Sequence, residues 1–359
     1  MAWIGQRDTL GGLFNAAGLD QPYKDADPAE HLNRGSVMVE YRHNPSARPL
    51  NLVRYMTRDP EPAALTLRSD PCGTLRVMVR SGDADTTYDI SLLGPRPDET
   101  IIVRLTWDCD AGRSILSATL VERGVHVIEE LDEALPFSAV DGRQMMMTAR
   151  CTLDPCVRFL ALADEVIPVG PMAGLDGKGR VKTPEGRLVP ISDLRPGQLL
   201  LAADGQPAQL RWTGSVQLPT MGSYAPVSLR APYFGATQDL TMSGGQALFV
   251  SGTEVEYLFA EIDVAVRMND LIDNRSAVAV HKGMLVTYYH LLIDRPVPIE
   301  IDGVMVPGLD VRPMLADPLL AAHSMVSGLP FELIPRDGAP SPLALQAFEA
   351  QTLCRMRAA

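Results

Sequence analysis

The sequence predicts an all-β protein in two parts: an N-terminal antiparallel β-sandwich, then a second β domain that ends in helices. Three observations carry this expectation. Glycine (29) and proline (29) make up about a sixth of the 359 residues, a density of turn formers that favours many short strands. Apolar residues alternate with polar ones in runs of strand length over two long regions. Between those regions lies 168–177, Pro-Val-Gly-Pro-Met-Ala-Gly-Leu-Asp-Gly, which cannot hold a regular element.

Residues 1–34 are mixed, with Gly11-Gly12, Gly18 and a charged stretch from Lys24 to Glu30, and read as a lead-in with at most a short helix. Strands are expected at 37–41, 50–55, 75–79, 100–107, 114–121 and 157–162, inside a sandwich spanning 35–171. A second series, 187–191, 198–202, 209–212, 227–231, 247–250 and 285–293, fills a domain spanning 172–312. One helix is expected within it, where Leu258, Ile262, Val266 and Met268 fall near helical spacing. The extension 313–359 is Ala- and Leu-rich over 314–325 and 343–357 and reads as helical, its second helix following a Ser341-Pro342 start signal.

Charge narrows the function classes. Lys and Arg number 32 against 44 Asp and Glu, a net charge of −12, which argues against a protein that tracks nucleic-acid phosphates. Five cysteines are an odd number and read as free thiols in a reducing, cytoplasmic setting. Arg7 and Asp8 interrupt any apolar leader, and no run of about 18 apolar residues occurs, so neither a signal peptide nor a membrane span is expected. Export, if it occurs, would take a leaderless route.

Three segments of the second series carry a family resemblance: Thr183-Pro184-Glu185-Gly186, Ile191-Ser192-Asp193-Leu194-Arg195-Pro196-Gly197-Gln198-Leu199-Leu200, and Leu210-Arg211-Trp212-Thr213-Gly214. They resemble the opening of bacterial Hint domains, the hedgehog/intein fold. Leu229-Arg230-Ala231, 240–250 and Tyr288-Tyr289-His290-Leu291-Leu292-Ile293-Asp294-Arg295 are similar to its later segments, and Leu345-Gln346-Ala347-Phe348-Glu349-Ala350 to its tail. The resemblance covers about 174–310 and implies a horseshoe-like all-β domain. The first region, through its strand run, Leu105-Thr106-Trp107-Asp108 and 163–171, resembles a concanavalin A-like or laminin G-like jelly roll.

The Hint resemblance implies autocatalysis. In such domains a Cys at the first position attacks the preceding carbonyl, splitting amide cleavage into two easier steps. A His three residues after a Ser or Thr protonates the departing nitrogen, because an unprotonated amine leaves poorly. The family spacing puts the nucleophile position at Gly174 and the His position at Gln246, in Ser243-Gly244-Gly245-Gln246. Gly174 has no side chain, and Gln246 hydrogen-bonds but transfers no proton near neutral pH. Residues 157–182 contain no Ser, Thr or Cys that could replace the nucleophile. His290 and Asp294 match the family's H-LL-x-D-R segment and read two ways. They are either a surviving acid/base or orienting pair, or a strand histidine satisfied by a backbone carbonyl beside an Asp294-Arg295 turn.

The remaining constellations read as structural. Cys151 and Cys156 have half a zinc spacing without a second pair, and read as buried thiols. Asp108-Cys109-Asp110-Ala111-Gly112 starts like a calcium loop but has Thr119 at the twelfth position; with Asp83 and Asp85 it reads as turns. Glu129-Glu130-Leu131-Asp132-Glu133 resembles a glucanase carboxylate strand, yet Leu135 stands where a third carboxylate is needed, so an acidic turn is expected. His31, His43, His126, His281 and His323 show no partners in sequence, and Trp107 and Trp212 read as core. No cofactor or metal is expected. The expected function is a Hint-domain protein that has lost self-cleavage and acts as a structural or interaction module, with the sandwich recognising an unidentified protein or glycan. Its rivals are self-cleavage near Ala173-Gly174, by hydrolysis assisted by His290, and a glycan-binding or glycan-cleaving sandwich.

Overall fold

The computed structural model describes residues 2–45, 48–59, 61–170, 173–280, 283–335 and 342–358. Pro171 and Met172 at the expected domain boundary, His281, and Ser341 of the helix start signal lie outside them. The chain divides into two compact units, Met1–Gly170 with Ala316–Met325, and Pro171–Leu315 with Val326–Ala359.

The first unit is a sandwich of two antiparallel sheets. One sheet orders its strands Val125–Leu131, Arg113–Leu120, Thr100–Asp108, Arg34–Arg42, Val157–Ala163, Trp3–Arg7 and Gly12–Phe14. The other runs Cys151–Leu153, Leu50–Thr57, Ala63–Ser69, Thr74–Ser81 and Ala84–Ser91. Alternation along each strand sends one set of side chains inward. Val37, Val39 and Tyr41 of the first sheet meet Val53, Tyr55 and Leu65 of the second in one buried core. Trp107 belongs to that core, its ring edge-on to Phe137 at 5.2 Å and its Nε1–H donating to the Leu32 carbonyl at 2.8 Å.

The expected lead-in is part of this sandwich. Trp3–Arg7 pairs with Val157–Ala163, and Trp3 and Ile4 are fully buried. Five residues interrupted by Gly5 are too short to show alternation, which is why the strand is silent in the sequence. The helix Ala139–Met147 is a second addition. Ser138 caps it, accepting from the Asp141 N–H at 3.0 Å while Asp141 accepts from the Ser138 N–H at 3.0 Å.

The second unit holds two seven-stranded sheets around its own core. The first orders Leu199–Leu201, Pro207–Pro219, Leu285–Ile293, Leu175–Asp176, Leu240–Ser243, Pro226–Leu229 and Ala277–Ala279. The second orders Leu188–Pro190, Arg180–Lys182, Ile299–Ile301, Val304–Val306, Ala247–Ser251, Asp263–Arg267 and Leu343–Ala344. Its long ribbon pairs Pro207–Pro219 with Leu285–Ile293, in register from Trp212 opposite Leu292 to Pro219 opposite Leu285, with the register shifting between Trp212 and Leu210, which lies opposite Ile293.

The helical expectations shift. The 258–268 pattern is a helix, Thr253–Phe259, that stops at left-handed Ala260 (φ 55°), followed by the strand Asp263–Arg267. Ile262, placed on the helix face by spacing, is 79% exposed in the connection. The 314–325 helix is two short ones, Arg312–Leu315 and Pro318–His323, because Asp317 caps the second while Pro318 cannot continue the first. The last helix begins at Ala347, and Leu343–Ala344 is a short parallel strand on Asp263–Arg267. The extension is therefore divided: Ala316–Met325 belongs to the first unit, where Val169 bridges Ser324.

Candidate functional site

Gly174 opens the short strand Leu175–Asp176, which is wedged between Leu240–Ser243 and Leu285–Ile293. Ser243 clamps it from both sides. The Gly174 N–H donates to Ser243 Oγ at 2.9 Å, and the Ser243 N–H donates to the Gly174 carbonyl at 3.0 Å. A Cβ built on Gly174 would lie 2.9 Å from the Tyr289 carbonyl oxygen, 2.9 Å from Tyr288 Cβ and 3.1 Å from His290 Cε1. Two of those neighbours cannot swing away, so the position accepts a side chain only if the strand moves. Gly174→Ala is expected to cost about 1–3 kcal/mol of stability, the usual range for overpacking, measured as a shift of the urea midpoint at unchanged slope.

The tight turn after Ser243 brings Gln246 back, its N–H donating to the Ser243 carbonyl at 3.0 Å. Its side-chain amide is turned onto the adjacent Ala247 carbonyl at 3.2 Å, so it points at no leaving group. His290 lies opposite Gly214 on the long ribbon and is 5% exposed. Among the described residues its Nε2 has no hydrogen-bond partner, and burial pushes its pKa down to about 4. The imidazole is neutral at pH 7. A cleft of about 190 Å³ opens here, lined among others by Ala173, Gly245, Gln246, His290, Leu309 and Asp310.

Gly174, Ser243, Gln246 and His290 therefore lie around one place, and Asp294 does not join them. Asp294 sits just past the strand end, four residues from His290 and thus about 13 Å along an extended chain. Its Oδ1 accepts from the Gln209 N–H at 2.9 Å while its own N–H donates to the Gln209 carbonyl at 2.9 Å. Arg295 turns to Asp204 at 2.6 Å. The two residues close the strand, and among the described residues no hydrogen bond joins Asp294 to His290.

Asp310 is the cleft residue that sequence reasoning passed over. Burial opposes its ionisation, but two bonds from Arg312, at 2.9 and 2.7 Å, outweigh that and hold the carboxyl below its ordinary range. It ended the family-like stretch, with nothing in its spacing to mark a role.

The other candidates resolve individually. Burial pushes the thiols of Cys151 and Cys156 up to about 11 and about 12, so neither is a ready thiolate. The Asp108 carboxylate accepts from the Asp110 and Ala111 N–H groups at 3.1 Å each and builds a turn. Glu129 and Glu130 extend the strand Val125–Leu131, Glu130 pairing with Arg113 at 3.0 Å, where an acidic turn was expected. His126 Nδ1 meets Thr119 Oγ1 at 3.0 Å, and burial pushes its pKa down to about 4. His31 pairs with Ser138 in a two-stranded bridge, His43 is buried, and His323 ends a short helix. Trp212 departs from the expectation of a core residue: it is half-buried, its ring occupying the space a side chain on Gly214 would need.

Residues 176–308 match the Hint domain family. This segment is a Hint domain. No curated protein matches the chain in sequence. Among solved structures, the chain is similar to the MchDnaB-1 intein at 14% identity, covering 38% of this chain and 99% of that one with a TM-score of 0.27. It is similar to the Msm DnaB1 intein splicing domain bound with zinc at 12% identity, covering 37% and 98% with a TM-score of 0.25. A likeness also runs to the Ruminococcus gnavus IT-sialidase CBM40 bound to alpha2,3 sialyllactose, at 15% identity, 40% and 91% coverage and a TM-score of 0.28.

Proposed function

We propose that the Hint domain of this chain does not cleave its own backbone, and that the protein works by binding, with the sandwich as its recognition part. The observation that carries this reading is Gly174, a nucleophile position with no side chain and no room for one. Ser243 Oγ, the hydroxyl closest at hand, accepts from the Gly174 N–H, the nitrogen that cleavage would have to expel. Activating that hydroxyl needs a base, and protonating that nitrogen needs an acid. Gln246 is neither. His290, with its pKa at about 4, is protonated in about one molecule in a thousand at pH 7.

Denaturing intact-mass measurement tests the proposal. The purified chain is expected to remain a single 39.0 kDa species after prolonged incubation with or without added thiol. Two fragments separated at Ala173-Gly174 would overturn it.

A further inference from the structure

The five-stranded sheet of the sandwich carries on its outer face a cleft of about 760 Å³ whose lining includes Arg54, Arg58, Arg80 and Arg150, with Asp59 as its carboxylate. Strand alternation places them there, since Arg54, Arg58 and Arg80 are exposed while Val53, Tyr55 and Val79 face the core. Register arranges them. Met56 lies opposite Ala64 and Ala64 opposite Arg80; Arg150 directly precedes Cys151, which pairs with Tyr55, and so falls beside Met56. Arg150, the residue before the strand Cys151–Leu153, and Arg80 thus end a row through Met56 and Ala64, about 14 Å apart at the backbone. Arg54, on that strand, and Arg58, the first residue past its end, flank Met56, about 13 Å apart at an extended rise. Half-exposed Met56, beside buried Ala64, forms an apolar floor between the four charges.

Two of the arginines are held in place. Arg150 Nη1 donates to Thr57 Oγ1 and to Gln144 Oε1, both at 2.9 Å, and Gln144 Oε1 also accepts from the buried Tyr55 hydroxyl at 3.1 Å. Arg80 Nε donates to the Gly82 carbonyl at 3.2 Å. None of the four is in an ion pair among the described residues, whereas Arg76 on the same face is paired with Asp89 by two bonds of 2.7 Å. Asp59 lines the cleft and Asp85 lies opposite Arg80 in register, but the four arginines outnumber these carboxylates and, in a chain of net charge −12, make a local field suited to anions.

No aromatic ring lines the cleft among the described residues, so it has no platform for stacking a base or a sugar ring. It has a flexible thioether floor that adapts to varied side chains, and guanidinium forks that match carboxylates. The separation of about 13 Å is also that of residues four apart in an extended peptide. We propose that this face binds an extended acidic peptide segment bearing carboxylates four residues apart. The inference rests on the recognition role proposed above and gives it a ligand class. Self-cleavage is tested separately by intact mass, so the two can fail independently.

The probe is a fluorescein-labelled Gly/Ser nonapeptide with glutamates at its third and seventh positions, titrated with the full chain in an anisotropy assay. Saturable binding that weakens as salt is raised is expected. The Arg54→Gln/Arg80→Gln variant, altered at two exposed side chains, should keep its circular dichroism and bind about tenfold or more weakly, as loss of two charge-assisted contacts implies. A peptide with adjacent glutamates should bind several-fold more weakly. The proposal is overturned by absence of saturable binding, by equal affinity in the variant, or by equal affinity for the two glutamate spacings. Tighter binding of an oligogalacturonate of matched charge, or displacement by equimolar inorganic phosphate, would equally reject a peptide ligand.

Discussion

Trp3→Ala is expected to destabilise the sandwich by about 3–5 kcal/mol, the range for removing a large aromatic side chain from a core. Trp3 is fully buried on a strand that pairs with Val157–Ala163 near the rim of the seven-stranded sheet. A domain's whole stability is of the order of 5–15 kcal/mol, so a loss of that size should be visible in ordinary urea denaturation. Hydrogen exchange followed by mass spectrometry assigns the effect, because peptides of the first unit should lose protection and those of the second should not. Leu10→Ala, at a side chain 94% exposed, is the control and should change stability by less than about 0.5 kcal/mol. A Trp3→Ala effect as small as the control's would mean that these first residues are the loose lead-in their sequence suggested.

Acidification should weaken the Hint domain through His290. Burial holds its folded-state pKa at about 4, while an unfolded histidine titrates near 6.5. Between those values the unfolded chain binds a proton that the folded chain refuses, so stability falls as pH falls. The contribution is complete above pH 6.5 and lost on descending to about pH 4, roughly 3 kcal/mol in all. His290→Leu, which removes the titrating ring and its unpartnered nitrogen, should flatten that slope in exchange measured over the strand Leu285–Ile293. His126, also held at about 4 by burial, gives the first unit a slope of its own. The His290→Leu variant leaves that slope untouched. Equal pH dependence in the two proteins would show that His290 is solvated.

The fold was legible where strands are long and alternate. The runs near 37–41, 100–107 and 285–293 lie in Arg34–Arg42, Thr100–Asp108 and Leu285–Ile293. Of the short elements, those at 198–202, 227–231 and 247–250 were legible, as Leu199–Leu201, Pro226–Leu229 and Ala247–Ser251, and others were not. Trp3–Arg7 has too few residues for a period, and the apolar residues at 258–268 fit a helical template although left-handed Ala260 ends the helix. The structure brings Gly174, Ser243 and Gln246 together, Gln246 by the turn after Ser243 and Gly174 by pairing with distant strands. What no spacing reveals is the orientation of a side chain. Asp294 shares a motif with His290, yet bonds the Gln209 backbone instead. The arginine face was invisible for a related reason, its members coming from separate strands and the residue before a third.

The first unit is also interleaved in order of synthesis. Its segment Ala316–Met325 comes after most of the Hint domain, and Val169 exchanges backbone bonds with His323 and Met325. A ribosome that has just released residue 170 has therefore produced an unfinished sandwich, which must wait through more than a hundred further codons for its last piece. Expressing the N-terminal half alone leaves that gap open permanently.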